Sequence, residues 1–317
     1  MELTQEIIDR IEKLQKKYEV TGQDLTAYLD GLLYADYISY WNYIHLDTLL
    51  SLQNPRTSFP DEQVFIMYHQ ITELYFKLAL HEIEQLANKE DLNSEFFVRR
   101  VMRINRYFDA LTHSFEIMYK GMERDQFIKF RMSLIPASGF QSAQYRMIEI
   151  CSTDFINLVD KEKRHQFTNE SPFDEMFKNL YWKQGATEEE TGKKTLTLSQ
   201  FERKYTDQLT RLAEEYKVKN LWQCYKKLTP EEQEDSKVKN VLRQLDVNVN
   251  INWPLMHLKS AITYLKRKTS EEKATGGTNW QKYLPPKFQE RIFYPALWSD
   301  EEKAHWGREW VESVMNE

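Results

Sequence analysis

Hydrophobic and polar positions carry most information between Pro60 and Glu84, PDEQVFIMYHQITELYFKLALHEIE. Val64, Tyr68, Ile71, Tyr75 and Leu78 recur at the three-and-four spacing of a buried stripe, and no Gly or Pro follows Pro60 in the run. That pattern predicts one long helix. One step round lies a second face, Phe65, His69, Thr72 and Phe76, so an aromatic sits a turn away from His69 on either side. Burying an imidazole without a partner costs roughly 1–3 kcal/mol. Taken alone, His69 reads as a core histidine bonded to a carbonyl.

The same reasoning places the other elements. Leu3, Ile7, Ile11, Leu14 and Tyr18 stripe residues 1–19, predicting an amphipathic helix that needs a partner surface in its own subunit or a neighbour. Residues 24–53 are dense in tyrosine (Tyr28, Tyr34, Tyr37, Tyr40, Tyr43), with Trp41 among them, and Asn54-Pro55 and Phe59-Pro60 close a loop ahead of the His69 helix. A helix over 94–122 carries Arg99, Arg100, Arg103 and Arg106 on what reads as a solvated basic face. Asp125 is placed to cap a short helix that sets Phe127 and Arg131 one turn apart; Pro136 ends it, and helix resumes from Gln141.

Residues 185–194 and 229–240 read as exposed polar connections. Between them runs a helical hairpin around Phe201, Tyr205, Leu209, Leu212, Tyr216 and Trp222, the centre of an arm spanning about residues 160–240. Pro254 suits a first helical turn, after which His257, Ala261, Tyr264 and Leu265 share a side. A polar loop leads to Thr275-Gly276-Gly277, where paired glycines suit a tight turn or close approach to a ligand. Trp298, Trp306 and Trp310 predict a packed C-terminal helix.

Composition then narrows the class. With 317 residues, 41% apolar and 14% aromatic, the chain can bury a large core, and nine Gly, nine Pro and few alternating β-branched runs favour an all-α protein. The expected architecture is a single large helical domain with the arm inserted. A net charge of −6 gives no electrostatic reason to expect nucleic acid or an anionic membrane surface. No run approaches a membrane span, and the amphipathic start lacks the apolar stretch of a signal peptide. Cys151 and Cys224 form neither a disulfide framework nor a CxxC site, and a reducing cytoplasm suits them. The seven histidines, at 45, 69, 81, 113, 165, 257 and 305, show no HxxxH or HExxH spacing, which argues against zinc or di-iron. Haem is different, since one axial histidine in an aromatic, helix-lined slot is enough. The residues alone leave haem open.

Five segments in chain order resemble the tryptophan 2,3-dioxygenase family: YWNYIHLDTLLSLQ (40–53), FIMYHQITELYFK (65–77), FIKFRMSLIPASGFQSAQYRMIE (127–149), WPLMH (253–257) and ATGGT (274–278). The resemblance implies a helical haem b protein, usually a homotetramer, that opens the pyrrole ring of L-tryptophan with O₂ to give N-formylkynurenine. It implies His257 as axial ligand of the iron and His69 as the distal, catalytic histidine that accepts a hydrogen bond from the indole N–H. Phe65 would line the haem pocket, Phe127 the substrate, and Arg131 would pair with its carboxylate through two hydrogen bonds. Thr275 would meet the ammonium, Gly276 would lie against the cofactor, and Tyr40, Tyr43 and Ile44 would reach in from a neighbouring subunit to wall the indole.

The chain departs from the family in the loop that closes over the amino-acid head group. Where GTGGSSG is usual, ATGGTNW stands; the segment between His257 and Thr275 is longer than usual; and Pro254 replaces a basic residue. The exact substrate therefore stays open. A haem monooxygenase of aromatic amino acids or indoles is one alternative reading, and a haem-binding sensor or helical interaction module is another.

Overall fold

The computed structural model describes residues 3–35, 38–134, 141–184, 186–187, 193–265 and 286–308. The chain divides into two compact units, Met1–Asn54 and Pro55–Glu317. In the first, α1 (Gln5–Val20), α2 (Leu25–Leu33), α3 (Tyr40–Tyr43) and α4 (Leu46–Leu49) follow one another. Gly22, at positive φ, turns the chain after α1, and the Asp24 side chain caps α2 by accepting from the Thr26 N–H at 2.9 Å. Tyr18 and Tyr28 stack between the two helices at 4.3 Å. Among the described residues of this unit no side chain is buried. Leu3, Ile7 and Leu14 of the predicted stripe lie exposed.

The second unit holds the core. Helices α5 (Asp61–Ala87), α6 (Ser94–Ser114), α7 (Glu116–Lys120), α8 (Arg124–Arg131) and α9 (Ala143–Ser152) lead into α10 (Phe173–Lys178), α11 (Tyr181–Gln184) and α12 (Leu196–Tyr216). Then come α13 (Leu221–Lys226), α14 (Pro230–Glu234), α15 (Ser236–Val247) and α16 (Trp253–Leu265), the last two joined by a π-turn, Asn248–Asn252. The described residues include two isolated β-bridges and no sheet, so the fold is all-α as expected. None of the described helices is long and apolar enough to cross a membrane.

The α5 helix is where the sequence pattern is both right and wrong. It starts where predicted because buried Glu62 reaches back to accept from the backbone N–H groups of Arg56 (2.8 Å) and Thr57 (2.7 Å). Its buried stripe is Tyr68, Thr72, Phe76, Ala79, Ile83 and Leu86, whereas Ile71 and Leu78 of the predicted stripe are exposed. The core takes the face between the two apolar faces, because α6 and α9 pack on α5 from that side.

Other expectations shift similarly. Arg100 and Arg103 do not face solvent freely; both grip Glu82, at 3.0 and 3.1 Å, and Glu82 is only 1% exposed. Asp125 lies inside the first turn of α8, with Glu123 at the cap. Residues 229–240 are not an open connection, because Thr229 and Glu232 form a capping box that starts α14, and α15 follows. Within the expected arm, α12 buries Phe201, Leu209 and Tyr216 and packs against α9. Trp298 and Trp306 pack edge to face at 4.9 Å across the short helix Asp300–Ala304, while Trp310 lies outside the described residues.

Candidate active site

Helices α5, α7, α8 and α16 of the second unit build the site. Asp61 at the start of α5 accepts from the Glu123 N–H at 2.6 Å, and the Asp61 N–H donates to Gln126 Oε1 at 3.2 Å. These two bonds tie the first turn of α8 to the first turn of α5. Consequently Phe127 and Phe130 of α8 fall beside Phe65, with ring centroids 6.3 and 5.6 Å away. Tyr264 of α16 packs on Phe127 at 4.5 Å, and its hydroxyl donates to the Met122 carbonyl. Arg131, one turn beyond Phe127, is 4% exposed. In the first turn of α9, Gln144 donates to both the backbone carbonyl and the carboxylate of Glu73, clasping α9 to α5 one turn past His69.

A run of aromatic contacts links His69 to His257. The His69 ring touches Phe65 (4.1 Å) and Tyr68 (6.4 Å); Tyr68 meets Phe115 (5.7 Å); and Phe115 meets His257 (4.8 Å). Trp253 closes the run against both Phe115 (5.3 Å) and His257 (4.7 Å). Phe115 was not visible in the sequence, because it sits in the break between α6 and α7 and belongs to neither helical stripe.

The two imidazoles are held alike. His69 Nδ1 lies 2.7 Å from the Phe65 carbonyl, and His257 Nδ1 lies 3.0 Å from the Trp253 carbonyl. A carbonyl only accepts, so in a neutral ring Nδ1 carries the proton and Nε2 carries the lone pair. His113 and His305 make the same bond on exposed helix faces, so the bond alone marks no site. What separates His69 and His257 from those two is burial, which lowers the basicity of both rings; among the described residues neither Nε2 has a hydrogen-bond partner. For His257 the pKa falls to about 4, through burial first, an effect that the bond to the Trp253 carbonyl opposes and that the neighbouring imidazole of His69 reinforces. The His69 ring is open to solvent by area yet desolvated by surrounding protein, which describes a side chain on a concave wall and not on a free surface.

A haem group fits this donor set. A neutral imidazole whose Nδ1–H is spent on a carbonyl offers Nε2 in a fixed direction, which is how ligating histidines are oriented. The aromatic lining suits a flat apolar macrocycle. Of the residues predicted from sequence, the structure brings Phe65, His69, Phe127 and His257 into one group of helices, with Arg131 buried on α8. Tyr40, Tyr43 and Ile44 belong to the first unit, where Tyr40 and Tyr43 are 70% and 71% exposed. Thr275 and Gly276 lie outside the described residues.

Comparison with known proteins bears on the family. A profile of the tryptophan 2,3-dioxygenase family matches residues 30–252, a stretch that crosses both units and stops five residues short of His257. A tryptophan 2,3-dioxygenase of Ruegeria sp. (strain TM1040) is 40% identical over 118 residues, which is 37% of this chain and 42% of that protein. The enzyme of Polaromonas naphthalenivorans (strain CJ2) is 38% identical over 115 residues, 35% of this chain and 40% of its own. That of Bacillus thuringiensis (strain Al Hakam) is 39% identical over 114 residues, again 35% and 40%. The matched stretch thus spans about two fifths of the length of these relatives.

Proposed function

The chain belongs to the tryptophan 2,3-dioxygenase family, and from that premise we propose that it is a haem-dependent dioxygenase that cleaves the indole C2–C3 bond of L-tryptophan with O₂ to give N-formylkynurenine. One observation carries the reading: two neutral imidazoles, each with Nδ1 bound to a carbonyl and Nε2 uncommitted, stand on one aromatic wall. His257 would hold the iron through Nε2. When bound, haem supplies the binding and activation of O₂.

The protein's own residues do the rest. Neutral His69 presents an Nε2 acceptor to the indole N–H, fixing the ring's orientation and able to take up that proton as the indole reacts. Phe65 and Phe127 confine the indole and keep water away from it. The buried guanidinium of Arg131 suits a carboxylate held through two parallel hydrogen bonds, which anchors the amino-acid end. Thr275 is assigned the substrate ammonium, with Gly276 beside the cofactor, following the family motif. Positioning of this kind supplies much of the rate, because it turns an encounter between three components into a reaction within one complex.

The exposed Tyr40 and Tyr43, with Ile44, complete the indole wall of a neighbouring subunit in a cytoplasmic homotetramer. An N-terminal unit with no buried side chain among its described residues supports that assembly, since its apolar residues need a surface to cover them. The test is direct. The protein is reduced anaerobically with haem bound, L-tryptophan and O₂ are added, and N-formylkynurenine is followed by absorbance and product mass. A mass gain of two oxygen atoms supports the reading. A gain of one identifies a monooxygenase on this fold, and no Soret band at all identifies a haem-free helical protein.

A further inference from the structure

The helix that delivers His257 is not a regular one. Residues 236–265 run as helix without a break, through α15, the π-turn and α16, so Pro254 lies in a helix interior and not in a first turn as its sequence context suggests. Proline inside a helix removes a donor and its ring collides with the carbonyl four residues back, here that of Asn250. The backbone widens immediately before it: the Trp253 N–H donates to the Asn248 carbonyl, five residues back instead of four. In the same pattern the Val249 carbonyl would receive the N–H of residue 254, and proline has none. That carbonyl is served from outside the helix, by the Tyr145 hydroxyl at 2.9 Å and Arg291 Nη2 at 3.2 Å. All three residues are buried. The turn is further pinned by Asn248, whose amide group bonds to Asn105, Asp109, Gln244 and Asn252.

A π-turn takes in one residue more than an α-turn, so everything beyond it is turned by one residue's step, about 100°. Were the turn to close to α, Met256 would take the place of His257 on the aromatic wall. We propose that Pro254 is the positioning residue for His257: because its ring collides with the Asn250 carbonyl in the closed α register, and it has no N–H to give that carbonyl, the π-turn stays open, with the Val249 carbonyl served by Tyr145 and Arg291, and this sets the face from which the imidazole emerges. The consequence for haem rests on His257 being its ligand; the consequence for the backbone does not.

The test replaces Pro254 by Ala, which returns the N–H and removes the ring. A crystal structure of Pro254→Ala is expected to show Asn248–Asn252 closed to α and Met256 displacing His257, whether or not haem is present. A retained π-turn with His257 in place overturns the proposal. In parallel, haem is titrated into each protein. Pro254→Ala should bind at least tenfold more weakly than wild type, and imidazole added in solution should restore the histidine-ligated Soret band, a rescue that general loss of packing would not allow. Wild-type haem affinity in Pro254→Ala overturns the proposal as well. Should Pro254→Ala not accumulate, Tyr145→Phe takes one donor from the Val249 carbonyl while leaving the helix sequence intact. A severalfold loss of haem affinity, reversed by imidazole, then supports the proposal, and unchanged affinity overturns it. If wild type itself takes up no haem, the assignment of His257 as ligand fails, and the closure or retention of the turn in the crystal still decides the role of Pro254.

Discussion

The two units of this chain solve opposite problems. The second buries its apolar side chains among themselves: Phe97, Phe108, Ile104 and Leu111 of α6 meet Phe76, Ile83 and Leu86 of α5, and the buried Glu82 carboxylate is paired by Arg100 and Arg103. The first unit has α-helices with the right periodicity, one of them capped by Asp24, but none of its described side chains is fully buried. Leu32, Leu33, Tyr34, Tyr40, Trp41 and Tyr43 all stand exposed. Fully covering one such side chain is worth roughly 1.5–3 kcal/mol, so leaving a whole segment bare is costly unless another surface meets it. Helical periodicity says that a face wants to be buried. It does not say which molecule supplies the cover.

The sharpest way to test this division is to remove what the second unit alone is assigned. Replacing His257 by Ala takes away the only protein–iron bond proposed, and stable haem uptake should be lost altogether. A full Soret band in purified His257→Ala, without added imidazole, would place the ligand elsewhere. Packing gives the next largest contrast. Phe97→Ala, in the core of the second unit, should lower stability by about 3–5 kcal/mol through lost transfer energy and a cavity. Leu32→Ala, equally apolar but exposed, should change the unfolding free energy of the dissociated chain by no more than about 0.5 kcal/mol. Chemical denaturation of both variants at low concentration compares them; similar losses would mean that Leu32 is buried within the single chain in solution.

Within the second unit, His69 and His257 look alike in local bonding yet are assigned different work. His69→Ala should keep its haem and lose about a hundredfold in kcat/KM, roughly 2.7 kcal/mol of transition-state stabilisation, because only the acceptor for the indole N–H is gone. Haem content and steady-state rates measured on both alanine variants separate the roles. Haem lost from His69→Ala and kept by His257→Ala would exchange them.

The helical class and the α5 start were readable because they depend on residues close in sequence, whereas the cap read at Asp125 falls at Glu123 instead, and the Ser142 hydroxyl that accepts from the Tyr145 N–H at the start of α9 was not singled out. The stripe on α5 was misread because two apolar faces compete, and only the packing of α6 and α9 chooses between them. The Glu82 clamp was invisible for the same reason: Arg100 and Arg103 look like a wet face until α5 brings a carboxylate to them. The histidines could be nominated but not paired from spacing, since 188 residues separate them and Phe115, the side chain that links them, lies at a helix break. Pro254 was read as a helix start because the local rule fits; the widened turn before it depends on Tyr145 and Arg291, which are distant in sequence.

The smallest expected signal bears on the first unit most directly. Tyr43→Ala removes an aromatic wall that its own unit leaves bare, so it should raise KM for L-tryptophan while leaving haem content unchanged. By itself that result does not say whose active site the wall serves. Mixing does. Tyr43→Ala and Arg131→Ala proteins are dissociated together and allowed to reassemble, then assayed at low substrate. If the wall comes from a neighbouring subunit, a pocket is intact when its own chain keeps Arg131 and the neighbour keeps Tyr43. Random assembly makes about a quarter of the pockets of that kind, so about a quarter of wild-type activity should return. If Tyr43 serves its own chain, every pocket in the mixture lacks one residue or the other, and activity stays at the level of the separate mutants. Native mass spectrometry of the mixture confirms that hybrids have formed, so absence of recovery in verified hybrids assigns Tyr40, Tyr43 and Ile44 to their own subunit.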